Sequence, residues 1–412
     1  MRKINLVLKV YVYSFILLII GAFLIYGDIS VVTLKKYISP LFGCILITII
    51  YQSFKFKFFA YLLFFTTSLT LIFNLSEPMT GVFVDSSNIF LFGLSFYSLS
   101  LAYTIHRKNK LNIKDIIIAA NPLILFTGPI AISNKDYSKT SLNRRFIVFF
   151  PFLILGLFFF KIIGTPLTSF FFLINSTETF NVVIYGIIFE LFIYFNFAGL
   201  SLIIYAIFGM FGLGIPLNFR QPFSSRNLIE FWRGWHVTLS SVLKNFFYNP
   251  IRSKFNGSIA LFIVFLSSAL WHGVTINFII WGIFHATCFV ITKLLLNNKF
   301  KYLPTILMVF GIIFGRILFS DSNINRLFLK LSFSDFNFDF TFLNTIGFNS
   351  ILSLFMGLFI VSSEFFFKNN SLFKQKTYKI YRLPYFQLLL ILLIILLISS
   401  SNGLNFAAYG QR

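Results

Sequence analysis

Four histidines are all the imidazole this 412-residue chain has, and three of them fall close together. His236, His272 and His285 lie within 50 residues of one another, while His106 stands apart in the basic stretch HRKNKLNIKD. His272 and His285 sit inside Ser258–Thr292, an apolar run with no charged residue. Ionisable side chains at membrane depth are costly and usually face a bundle interior or a polar cavity. Imidazole takes up a proton near neutral pH, which is what activating a hydroxyl for attack requires. A neutral histidine hydrogen-bonded within a bundle would look the same in isolation, so the surroundings must decide. His106 reads as a solvated loop residue. Cys44 and Cys288 both lie in apolar runs. They offer neither a disulfide framework nor metal-ligand spacing, so no metal is expected.

The elements that must position these side chains are membrane spans. Hydrophobic residues make up 58% of the chain and charged residues 11%, too few to cover the surface of a water-soluble domain. Runs of roughly 17–25 apolar residues recur along it. Val10–Gly27, Tyr37–Ser53, Phe58–Leu75, Ile89–Ile105, Phe146–Phe160, Phe180–Leu213, Ser258–Thr292, Tyr302–Phe319, Asn349–Ser363 and Leu383–Ser401 all reach or approach that length. No charged linker or Gly/Ser tract divides them, so residues 1–412 read as one integral membrane domain. The fold class expected is all-α and polytopic, with about 9–12 transmembrane helices. Arg2, Lys3 and Lys9 precede the first span, but no small-residue cleavage site follows Gly27. That span reads as a retained helix.

Lysine and arginine number 34 against 12 acids, for a net charge of +22. These cations sit in short connections between spans, as the positive-inside rule and anionic lipid at the cytoplasmic leaflet demand. The partner they imply is the lipid bilayer of a cell membrane, not nucleic acid. On the same rule His106–Asp115, Ser133–Arg145, Gly214–Gly257, Lys293–Lys301 and Lys368–Arg382 are cytoplasmic loops. Ser76–Asn88, Gly164–Thr179 and Ser320–Phe348, poor in basic residues, lie outside. Two apolar segments then begin and end on one side: Ile116–Ile132, with Pro122 and Gly128-Pro129, and Ser258–Thr292, with Trp271-His272-Gly273. A single helix cannot return to the side it left, so each must be a hairpin or a re-entrant element. Irregular backbone survives at that depth only where protein or a watered cavity satisfies its polar groups. The bend of the second should fall near Gly273. His272 would then lie about 21 Å past Ser258, at 1.5 Å per residue.

The residues around the histidines form a recognisable series. Phe231-Trp232-Arg233-Gly234-Trp235-His236 runs into Val237-Thr238-Leu239-Ser240. Leu270-Trp271-His272-Gly273 is followed by Asn277-Phe278, Trp281-Gly282 and His285. Upstream stand Gly93-Leu94-Ser95-Phe96-Tyr97 with Tyr103, then Pro122 with Gly128-Pro129-Ile130. Tyr194-Phe195-Asn196-Phe197-Ala198-Gly199 and Leu217-Asn218-Phe219 with Pro222 complete the set. In order and spacing these resemble the signatures of the membrane-bound O-acyltransferases: GISFYTF…Y, P…AGPI, YFDFSG, ENFxxP, FWRRWHxSLS and WHG…NF…WGxxH. The resemblance runs from about Gly93 to Phe319. The branch is the one that holds the alginate and peptidoglycan O-acetylases and the D-alanyl transfer protein of teichoic acid synthesis. Several charges of the pattern are neutral here. Gly234 replaces the second arginine of FWRRWH, and Asn196 the acid of YFDFSG. Leu202 stands where a second acid is expected, Ala131 follows GPI in place of an arginine, and Lys244-Asn245 replaces Arg-Asp.

The resemblance implies helices arranged around a central tunnel, with re-entrant segments. It implies an O-acyltransferase that takes an acyl group, acetyl before others, from a cytoplasmic thioester. The donor would be acyl-CoA or an acyl carrier protein with a phosphopantetheine arm, and no resident cofactor is required. The acceptor would be a hydroxyl of an extracytoplasmic polysaccharide or of a partner protein that carries the acyl group onward. His272 would be the general base and His236 a second catalytic residue. Arg233 and Lys244 would hold donor phosphates, with Trp271, Asn277 and His285 as further contacts of donor or substrate. D-alanyl transfer to teichoic acid is the alternative within the family. A flippase of a lipid-linked saccharide is the alternative outside it, although no inverted repeat of the sequence supports one. Glu190, an acid within an apolar run, should pair with an arginine or lysine.

The charge pattern predicts that single cysteines at Ser224 and Asn323 label from opposite sides of the membrane. An impermeant thiol reagent applied to intact cells should reach Asn323→Cys and not Ser224→Cys; labelling of both would overturn the assignment.

Overall fold

The computed structural model describes residues 2–26, 44–45, 47–49, 86–108, 110–127, 130, 135–170, 182–273, 275–320, 325, 327–328, 346–367 and 383–398. The described chain is almost wholly helical. Helices α1 (Arg2–Tyr26) and α2 (Ser86–Lys108) are followed by two short ones, α3 (Ile113–Ala119) and α4 (Pro122–Thr127). Helix α5 (Leu142–Leu157) runs on through a π-helical stretch, Phe158–Gly164, and a 3-10 turn, Thr165–Thr168. It packs along α6 (Val182–Met210). Short helices α7 (Leu228–Gly234), α8 (Val237–Leu243) and α9 (Asn249–Arg252) follow, and a second π-helical turn, Lys244–Tyr248, joins the last two. Then come α10 (Gly257–His272), α11 (Ile276–Asn297), α12 (Leu303–Phe319), α13 (Phe348–Phe367) and α14 (Pro384–Ile398). Two-residue strands β1 (Lys135–Asp136) and β2 (Leu213–Gly214) pair antiparallel, with Lys135 opposite Gly214.

Leu142–Thr168, Val182–Met210, Ile276–Asn297 and Phe348–Phe366 are long and apolar enough to cross a bilayer. Shorter apolar helices, Gly257–His272 and Leu303–Phe319 among them, pack beside them. The molecule is an all-α polytopic membrane protein. Helix α6 is its central post. Most of its length is buried, from Val182 to Met210, whereas α13 and α14 leave Phe359, Phe366, Leu388 and Ile395 exposed on the outer apolar surface. The expected spans Tyr37–Ser53 and Phe58–Leu75 lie mostly outside the described residues, as do Gly128-Pro129 and most of Ser320–Phe348 and Lys368–Arg382.

Three expectations need correction. The outer loop placed at Gly164–Thr179 begins later, because α5 continues as helix through Phe170. The π-helical stretch admits the extra residue, and Ser353 of α13 donates its hydroxyl to the Ile162 carbonyl there, at 2.5 Å. Gly214–Gly257 is not a solvated loop. It folds into helices that bury Phe231, Trp235, His236, Thr238 and Phe246. Six cations made the segment read as a loop, but its apolar residues recur at helical spacing and turn inward. His106 is no loop residue either. It closes the last turn of α2, half-buried, with its ring stacked on Phe246 at 4.8 Å.

The α5–α6 contact depends on missing side chains. Gly156 and Gly199 bring the two backbones together, and a Cβ on Gly199 would stand 2.7 Å from Phe160 N and 2.8 Å from the Gly156 carbonyl. Without a hydrophobic force between helices in lipid, such close approach is what holds them. Gly199→Ala should therefore lower stability by about 1–3 kcal/mol. The check is the melting temperature of the detergent-solubilised protein, with Phe359→Ala on the exposed face of α13 as the mild comparison.

Candidate active site

The hairpin expected in Ser258–Thr292 is present. Helix α10 ends at His272, Gly273 is extended, and α11 starts at Ile276. Gly282 of α11 faces Phe265 and Ala269 of α10, so the two helices run back along each other. The first short segment, Ile116–Ile132, is likewise broken, between α3 and α4 at Asn121. Asn121 Nδ2 donates to Ser14 of α1 at 3.1 Å, and its Oδ1 accepts from Leu123 N at 3.1 Å. Side-chain amides thus satisfy the polar groups where the helix stops.

At the hairpin tip His272 is half-buried among rings. Its centroid lies 4.8 Å from Trp271, 4.9 Å from Phe319, 5.9 Å from Trp281 and 6.1 Å from Phe278. Asn277 ties this tip to the end of α12. Its Nδ2 donates to the Leu318 carbonyl at 3.3 Å, and its Oδ1 accepts from the Thr275 hydroxyl. Both ends of that amide are engaged in the fold, so Asn277 shapes the tip. Trp271 is engaged as well. Its indole N–H donates to Ser95 Oγ of α2 at 2.9 Å, and both groups are buried.

His236 arrives from another direction. It stands between α7 and α8 in the left-handed region, at φ 43°, which side chains other than glycine, asparagine and aspartate rarely adopt. Asn218 fixes the turn. Its Oδ1 accepts from both the N–H (3.2 Å) and the hydroxyl (2.8 Å) of Thr238, its Nδ2 donates to Ser201 of α6 (3.4 Å), and its carbonyl accepts from Val237 N (2.8 Å). His236 Nδ1 caps α8 by accepting from Leu239 N at 3.3 Å. A neutral imidazole that accepts at Nδ1 carries its proton on Nε2. That Nε2 is buried and has no partner among the described residues, so it is a free N–H donor. The His236 ring lies 6.2 Å from Trp271, at right angles to it. Trp271 therefore has His236 and His272 both against its indole.

His285 is buried further along α11, walled by Trp281 (4.8 Å), Trp232 (5.1 Å) and Phe265 (6.0 Å). Trp281 touches both His272 and His285 and separates them. Only a glycine leaves room beside this ring on α12, since a Cβ at Gly315 would meet His285 Nε2 at 2.2 Å. Arg233 of α7 and Lys244, which opens the second π-helical turn, are both exposed. Gly234, where the pattern has a second arginine, is buried, and a Cβ there would stand 3.0 Å from the Arg220 carbonyl oxygen and 3.2 Å from Pro222 Cα. A side chain there would press on backbone atoms. Asn196 donates to the Phe192 carbonyl in its own helix, at 2.8 Å, a bond that an aspartate could not make.

Sequence reasoning missed Arg316. It is the buried partner of Glu190, joined through its Nε to Glu190 Oε2. Its guanidinium carbon lies 4.7 Å from the Trp235 ring and 5.6 Å from Phe319. The available signal was an arginine within the apolar run Tyr302–Phe319, at the depth where Glu190 also lacked a partner.

Across residues 56–302 the chain matches the sequence pattern of MBOAT, the membrane-bound O-acyltransferase family. The chain belongs to that family. Among relatives of this acyltransferase-family chain, a probable alginate O-acetylase AlgI of Pseudomonas syringae pv. tomato is 32% identical over 141 residues, which are 32% of this chain and 27% of that protein. A peptidoglycan O-acetyltransferase of Helicobacter pylori is 36% identical over 97 residues, 23% of this chain and 18% of its own. A teichoic acid D-alanyltransferase of Bacillus subtilis is 27% identical over 188 residues, 41% of this chain and 45% of its own. The matched stretches span less than half the length of each of these relatives.

The backbone at position 236 suggests a clean test of the imidazole. Asparagine tolerates the left-handed region and caps helices well. His236→Asn should keep the protein inserted and folded while acyl transfer falls by about 10² or more, the scale for losing one preorganised donor. The check is ester formation per unit of inserted protein; activity near wild type would mean that His236 only caps α8.

Proposed function

We propose that this chain is an O-acyltransferase of the plasma membrane. It moves an acyl group, most simply acetyl, from a cytoplasmic thioester to a hydroxyl of an extracytoplasmic polysaccharide or of a protein that passes the group on. The observation that carries this reading is the shared contact of His236 and His272 with Trp271, in a chain of this family. The thioester donor is acyl-CoA or an acyl-phosphopantetheine carrier protein, and exposed Arg233 and Lys244 would meet its phosphates as charge-assisted contacts.

In this mechanism His272 takes the proton of the acceptor hydroxyl. The hydroxyl oxygen bonds to the thioester carbonyl carbon, and the carbonyl π pair moves onto oxygen. The Nε2–H of His236 donates to that oxyanion. The tetrahedral species collapses, re-forming C=O and breaking C–S. The leaving thiolate takes the proton back from the His272 imidazolium and departs as a thiol. Apolar rings around His272 keep bulk water from competing for the acyl group. His285, beyond Trp281, packs the far wall of this cluster.

Transfer of D-alanine is a second reading, favoured by the length of the match to the Bacillus subtilis teichoic acid D-alanyltransferase. The two differ in the ester formed. Mild alkali would release acetate from the cell surface in one case and D-alanine in the other.

His272→Ala should abolish ester formation per unit of inserted protein, since a positioned general base contributes about 10²–10⁴ in rate. A merely structural hydrogen bond between membrane helices is worth about 0.6 kcal/mol, which would leave activity close to proportional to surviving protein. Retention of more than about a tenth of wild-type activity excludes the base role.

A further inference from the structure

Helices α6 and α12 carry a buried ion pair that the mechanism above does not use. The side chains of Arg316 and Glu190 are 7% and 5% exposed. Taking two charges out of water is expensive, and a well-packed apolar pair is often as stable or more so. Inside a membrane an ionisable residue is by default a candidate for function. Where this pair sits, and how it is bonded, points to what it does.

The pair is lopsided. Arg316 donates through Nε to Glu190 Oε2, and Glu190 Oε1 has no partner among the described residues. The Nη groups of Arg316 likewise donate to nothing among the described residues. Arginine–carboxylate pairs are frequently held by two parallel bonds. Here one bond fixes the group, and its remaining donors are left for something else. The plane is held by rings. Trp235, the residue before His236, lies 4.7 Å from the guanidinium carbon. Phe319, one turn along α12, lies 5.6 Å from it and 4.9 Å from the His272 ring. The charge thus stands one residue from the N–H donor and one ring from the base.

We propose that Arg316 is a further catalytic residue of this site, a fixed cation whose Nη groups stabilise the oxyanion formed when the hydroxyl attacks the thioester. Glu190 is its positioning residue. The inference rests on the acyltransferase reading and adds one participant to it. The bonds made and broken are unchanged. When the carbonyl π pair moves onto oxygen, that oxygen is held by His236 Nε2–H and by Arg316 together. Two donors, one of them charged, in a water-poor site are what a tetrahedral oxyanion requires. The preceding ground state carries no full charge there, so the benefit is felt in the transition state and should appear in kcat more than in KM.

Cells lacking the chain, complemented with each variant, provide the test. Alkali-released acetate and D-alanine are both measured per unit of inserted protein, and kcat and KM are taken on isolated membranes with radiolabelled acetyl-CoA and, separately, with the D-alanyl carrier protein. Arg316→Gln alone leaves Glu190 buried and unpaired, so the informative variant is the neutral pair Arg316→Gln with Glu190→Gln. It should insert at wild-type levels, yet its kcat should fall by about 10²–10³ with KM little changed. Arg316→Lys keeps the charge and should be clearly more active than the neutral pair, which decides the matter even if the neutral pair inserts poorly. A neutral pair with more than about a tenth of wild-type kcat, or a lysine variant no better than the neutral pair, overturns the proposal. His272→Ala is run alongside. If it too is active, the acyltransferase mechanism fails; if it is dead while the neutral pair is active, only the role of Arg316 fails.

Discussion

A helix that stops and turns inside an apolar body must satisfy its own polar groups, and the site depends on how α10 and α11 do so. Their turn at Gly273 is closed by the amide of Asn277, which reaches the Leu318 carbonyl of α12. The indole of Trp271, just before the turn, is bonded to Ser95 of α2. An indole N–H left buried without that hydroxyl would cost about 1–3 kcal/mol. The tip is therefore fixed to helices on two sides, and His272 is carried with it. In lipid there is no water to repair a lost bond.

The second histidine is held by a different device with the same logic. His236 adopts a strained backbone because Asn218 binds the start of α8 from below, through both the backbone and the hydroxyl of Thr238. Strain of this kind persists only where the surroundings over-determine it, and it is found at working sites. Asn218 belongs to the Leu217-Asn218-Phe219 element and Ser95 to Gly93-Leu94-Ser95-Phe96-Tyr97. Two elements that carry no obvious chemistry thus orient the two histidines. Their role is in placement, and Trp271 is where the two placements meet.

One more charged group is held beside these rings, bonded through its Nε to Glu190. Arg316 is stacked on Trp235 and Phe319, which touch the histidine environment from either side. Rings confine a guanidinium without competing for its N–H groups, since their faces attract the cation and accept no strong hydrogen bond. The arrangement keeps a cation at membrane depth while leaving its donors available.

The sequence by itself determined the class, the apolar helices among the described residues, the hairpin around Gly273 and the clustering of three histidines, because hydropathy and charge are local properties that the bilayer enforces along the chain. The motif series also pointed to His236 and His272 as partners. Local properties misread Gly214–Gly257, where cations scattered over several short elements masked their inward apolar residues, and His106, whose ring is covered by Phe246 from far along the chain. They also ended α5 too early at Gly164, since a π-helical stretch has no simple periodicity. Only the tertiary structure decided which residues meet. Glu190 and Arg316 are 126 positions apart, and Trp271 and Ser95 are 176 apart. Nothing local to either member of such a pair encodes its partner, which is set by the packing of α6 on α12 and of α10 on α2.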